Sequence, residues 1–170
     1  MNIKNRKLAI LCATSLALFI IRSLFISKSE IQIKYAIAFD LRATLLFMGI
    51  SLLIITGVLI LNVNINYFFI ESVASKFCGV ELLRSSFKNI LYCIYLSAYC
   101  LSTVVSMIIG TIFSETDLVT AITSLCNYLI VACLLYFELR KNEISQKINF
   151  LLTTTIFLGN CLTVLYMLLR

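Results

Sequence analysis

Long apolar runs broken by short polar clusters set the pattern of this chain. A helix that crosses a bilayer needs about 20 mainly apolar residues. Five stretches meet that length: residues 8–27, 41–63, 89–113, 118–137 and 148–169. Little chain remains outside them. The pattern predicts an all-α integral membrane bundle of five transmembrane helices, in a single domain covering residues 1–170. The first run follows Lys4, Arg6 and Lys7, as a signal peptide would. No clear small-x-small cleavage site comes after it, and it is long for a signal core. It reads as a retained span.

The longest interruption is 64–88. Ile65, Phe68, Phe69, Val73 and Phe77 fall near helical spacing there, with Glu71 and Lys76 off the stripe. The segment is expected either to continue the second helix or to lie as an amphipathic helix on the cytoplasmic membrane surface. Gly79 suits a helix stop, because Gly readily takes the left-handed conformation. Ser85 or Ser86 suits a cap for the next helix, although 81–84 could already be helical.

Composition narrows the class by exclusion. The chain is 61% hydrophobic and 13% charged, against about 45–50% and about 25% in an ordinary soluble domain. A soluble fold of 170 residues could not cover that much apolar side chain. There is no His, the commonest acid–base and metal-binding side chain, and no Pro to kink a helix.

The net charge is +6, from 14 Lys+Arg and 8 Asp+Glu. No basic stretch is long enough to track phosphates, so nucleic acid is not an expected partner. Basic residues instead mark cytoplasmic loops. With the N-terminus inside, the inner segments hold Lys4, Arg6, Lys7, Lys76, Arg84, Lys88, Arg140, Lys141 and Lys147. The outer segments hold only Lys28, Lys34, Arg42 and Arg170. The predicted orientation is N-terminus inside and C-terminus outside.

Candidate chemistry is sparse. The seven Cys show no C-x-x-C spacing, and the pairs Cys93/Cys100 and Cys126/Cys133 read as small packing residues. Carboxylates are nearly absent from the span interiors, with Asp40, Glu115, Asp117 and Glu138 at span ends, so ion coupling and catalysis lack their usual groups. No metal or other cofactor is implied, and the chain reads as a non-enzyme. Arg22 lies within the first span, where it can snorkel or pair with Asp40, Glu115 or Asp117 on the outer side. Those four are the candidate outer-face electrostatic residues. Tyr92, Tyr95 and Tyr99 share a face of the third span, continued by Ser102 and Ser106. Asn127 and Asn160 fall at matching depth in consecutive spans, where an interhelical hydrogen bond is expected. These Tyr and Asn residues are candidates for a polar groove or for interhelical contacts. Gly49 and Gly57 share a face of the second span and permit close helix approach. Glu71, Lys76, Arg84, Lys88, Arg140 and Lys141 are candidate contacts for a cytoplasmic partner.

A longer pattern runs through the second half. Ser86-Phe87-Lys88 leads into a third span containing Tyr95-Leu96-Ser97-Ala98. The fourth span ends in Leu139-Arg140-Lys141-Asn142-Glu143-Ile144-Ser145-Gln146-Lys147, directly before the fifth. Over residues 41–169 this resembles the Yip family of five-span membrane proteins. That family has a similar Ser-Phe-Lys lead-in, a Tyr-Ala-Ser-Leu-Pro-like stretch in its third span, and a short basic inner loop with a Leu-Ser element before its last span. The family's Pro and many of its Gly residues are missing here. The resemblance implies five spans and supplies no catalytic residues.

Heavy use of Ile, Asn, Lys, Phe and Tyr suggests an AT-rich coding sequence, as in many Gram-positive bacteria. In size and style the chain is similar to the accessory membrane proteins of gallidermin- and epidermin-type lantibiotic systems. That likeness implies an accessory role beside an ABC transporter in the bacterial cell membrane, in lantibiotic secretion and producer self-immunity. Membrane lipid, the transporter and a cationic amphiphilic peptide are the partners it implies. A small transporter or permease subunit, or a general membrane-organising protein, remains open as an alternative.

Overall fold

The computed structural model describes residues 3–26, 41–78, 84–112, 116–142 and 144–168. They form five helices: α1 (Ile3–Ile26), α2 (Leu41–Cys78), α3 (Arg84–Ile112), α4 (Thr116–Lys141) and α5 (Gln146–Leu168). No strand occurs among the described residues. Among the described residues, three stretches are long and apolar enough to cross a membrane: Leu45–Phe77, Phe87–Gly110 and Val119–Lys141.

Four helices fall close to the expected runs, and α2 is much longer. Residues 64–78 continue it without a break, which is the first of the two forms expected there. The reason lies in the side chains. No Gly or Pro interrupts the chain between Gly57 and Gly79. Asn64 looks like the end of an apolar run, yet its Nδ2 donates to the Ile60 carbonyl at 2.7 Å, inside the helix. The 38 residues of α2 extend about 57 Å, against a hydrocarbon thickness of about 30 Å. The start of α3 at Arg84 puts Ser85 and Ser86 in its first turn. Gly79 lies outside the described residues.

Five threonines of these helices satisfy their hydroxyls locally. Thr56, Thr103, Thr123, Thr153 and Thr155 each donate to a carbonyl one turn back, at 2.8–2.9 Å. Such bonds remove most of the cost of placing a hydroxyl in an apolar setting. At the α4–α5 turn, Asn142 Nδ2 donates to the Glu138 carbonyl at 2.8 Å. The Asn149 amide donates to the Ser145 carbonyl at 2.9 Å, so Ser145 stands at the start of α5 as its cap.

Helix α3 is central: it packs on α1, α4 and, to a lesser extent, α2. Helix α4 packs on α5, and α5 also touches α2. The core joins Val63, Tyr67, Ile70 and Ala74 of α2 to Phe87, Leu91, Ile94, Tyr95 and Ala98 of α3. Val131, Leu135 and Leu139 of α4, Ile144, and Leu152 and Ile156 of α5 complete it. The α2 positions advance by three or four residues, so one stripe of its second half is buried. Its first half is different. Leu45, Leu46, Phe47, Ile50, Leu53, Ile54 and Val58 are all exposed, and at 100° per residue they spread over an arc of about 220°, with half-buried Met48, Ser51, Leu52, Ile55 and Leu59 on the remaining side.

Candidate functional site

The expected polar residues meet at two points in the bundle. At the first, Asn66 Nδ2 on α2 donates to the Tyr95 hydroxyl on α3. Asn160 on α5 lies within electrostatic reach of the same hydroxyl. Tyr95 is only 5% exposed, so three helices converge on one buried polar group. At the second, Ser102 Oγ on α3 lies 3.5 Å from Asn127 Oδ1 on α4 and 3.0 Å from the Tyr99 carbonyl. Asn127 therefore meets Ser102, and Asn160 lies near Tyr95. Buried amides need partners, and interhelical bonds of this kind contribute about 0.6–2 kcal/mol each.

Tyr92 is half-buried against the core. Tyr99 is half-buried on α3, within electrostatic reach of Arg22 on α1. Arg22 is itself half-buried. The partners considered for it, Asp40 and Glu115, lie outside the described residues, as does the Asp117 side chain.

A cleft of about 370 Å³ opens elsewhere, at the end of the bundle where α1 and α3 begin and α4 finishes. Asn89, Ile90, Cys93, Ile94 and Ser97 of α3 line it. Lys7 of α1 and Leu134 and Glu138 of α4 complete it. None of Tyr92, Tyr95, Tyr99, Asn127 or Asn160 borders this cleft. Glu138 Oε2 accepts from Lys141 Nζ at 3.0 Å.

The charged residues considered for partner contact divide by exposure. Lys76, Arg140 and Lys141 are exposed, whereas Glu71 and Lys88 are half-buried. The Arg84 side chain lies outside the described residues. Thiols of Cys12, Cys93, Cys100, Cys126, Cys133 and Cys161 are free. Among the described residues, no three His, Cys, Asp or Glu side chains gather as a metal site requires.

Sequence reasoning missed two participants. Asn66 was hidden in a segment read for its apolar stripe. Asn149, at the start of α5, is 1% exposed, and its Nδ2 donates to the Tyr136 carbonyl of α4 at 2.9 Å. Its signal was available: an amide directly inside an apolar run needs an internal partner. Comparison with known protein families, curated proteins and solved structures finds no match to this chain.

Proposed function

We propose that this chain is a non-enzymatic accessory subunit of the bacterial cell membrane, assisting an ABC transporter in lantibiotic secretion and producer self-immunity. In this reading all five helices span the membrane, with the N-terminus inside and the C-terminus outside, as in Yip-like proteins. The observation that carries the accessory role is the division of α2. Its second half is locked into the core through Val63, Tyr67, Ile70 and Ala74. Its first half presents large apolar side chains over a broad outward arc, with Leu53 75% exposed. A helix held at one end and free at the other is suited to lateral docking on transmembrane helices of a larger assembly. Gly49 and Gly57 have open space around them, so a partner helix could approach closely there. The cationic, amphiphilic nature of the cargo rests on the likeness to lantibiotic accessory proteins.

The polar residues support binding less than they support construction. Tyr95 brings Asn66 and Asn160 together between helices, and the cleft lies elsewhere. The test is complementation in a lantibiotic-sensitive host, with the chain and the transporter supplied singly and together. Resistance that requires both agrees with the accessory role. Resistance from the chain alone assigns it to a transporter or permease instead.

A further inference from the structure

The cleft at the start of α3 has a lining that the accessory role does not use. Helix α3 forms its floor, and α1 and α4 form its walls. Its charged groups lie toward the bundle end, Lys7 on one wall and Glu138 on the other, with Asn89 on the floor between them. Ile90, Cys93, Ile94 and Ser97 of α3 and Leu134 of α4 continue it inward, over about two helical turns of α3. A charged mouth above a mainly apolar floor matches a molecule with a charged head and an apolar body. The volume of about 370 Å³ falls in the range of small-ligand sites, about 300–1,000 Å³.

The charges define the head. Lys7 supplies an ammonium, which donates only, and Glu138 supplies a carboxylate, which accepts on two oxygens. One of those oxygens, Oε2, receives Lys141, leaving the other for a second donor. A ligand that satisfies both walls carries an anion for Lys7 and a hydrogen-bonding cation for Glu138. We propose that the cleft holds the headgroup of a phospholipid bearing a phosphate and a primary ammonium, drawn from the adjoining leaflet. Lys7 meets the phosphate, Glu138 meets the ammonium, and the first acyl carbons lie on Ile90, Ile94 and Leu134. A choline headgroup has no N–H to donate, and a glycerol headgroup has no cation.

Native mass spectrometry of the full chain from micelles with defined lipid tests this assignment. Phosphatidylethanolamine is expected to be retained about tenfold more than phosphatidylcholine or phosphatidylglycerol. Lys7→Gln and Glu138→Gln should each abolish most of that preference, whereas Lys147→Gln, an exposed charge outside the cleft, should leave it unchanged. Circular dichroism and elution volume check that the variants fold. Equal retention of the three lipids, or a preference that survives Glu138→Gln, overturns the proposal. Displacement of the lipid by soluble phosphoethanolamine at matched concentration overturns the lipid as the source of the headgroup.

Discussion

The side-chain amide of Asn66 on α2 donates to the Tyr95 hydroxyl on α3, which also lies near Asn160 on α5. This contact adds a polar tie to the apolar packing of Val63, Tyr67, Ile70 and Ala74 that already joins α2 to α3. It fixes which turn of α2 faces which turn of α3. A double-mutant cycle with Asn66→Leu and Tyr95→Phe should give a coupling of about 0.6–1.7 kcal/mol, read from unfolding in mixed detergent micelles. Additive effects would mean that the two side chains do not act together.

Asn149 is the most buried amide, and it bridges α5 to the Tyr136 carbonyl of α4. Asn149→Ala removes a donor and leaves a void. Its expected cost is about 2–3 kcal/mol. Asn149→Asp should cost more at neutral pH, because a carboxylate only accepts and would face a carbonyl oxygen. The same unfolding assay orders the two variants.

Two leucines separate packing from lipid exposure. Leu91 of α3 is almost fully buried in the core, and Leu53 of α2 is open. Leu91→Ala should destabilise by about 2 kcal/mol or more through the cavity it leaves. Leu53→Ala should change stability by less than about 0.5 kcal/mol, since lipid fills the space. Equal losses would place the first half of α2 inside a packed bundle.

The helices were legible in the sequence because lipid demands long apolar runs, and α1, α3, α4 and α5 lie close to those runs. The division of α2 was not. In a membrane both the buried stripe of Val63, Tyr67, Ile70 and Ala74 and the open face around Leu53 are apolar, so periodicity carries little contrast. The polar partners were legible as types and not as pairs. Asn127 and Asn160 stand at similar depth, but the reach of the Tyr95 side chain and the position of Ser102 decided their contacts. Asn66 depended on α2 continuing past residue 63, the first of the two forms expected there, which brought a half-buried amide against α3.

Topology follows from the distribution of basic residues. Alkaline phosphatase fused after Arg170 should be active, and the same enzyme inserted in the α4–α5 turn, beside Asn142, should be inactive. The reverse result would invert the bundle and place the Lys7–Glu138 cleft in the other leaflet.

Lateral docking through α2 is tested most directly by photocrosslinking in cells that co-express the lantibiotic ABC transporter. A photoreactive residue is placed at Leu53 of α2 or, for comparison, at Phe150 of α5, which is also exposed. An adduct with the transporter's membrane subunit from position 53, and none from position 150, is the expected result. Adducts of equal yield from both positions, or none from position 53, would contradict docking through α2.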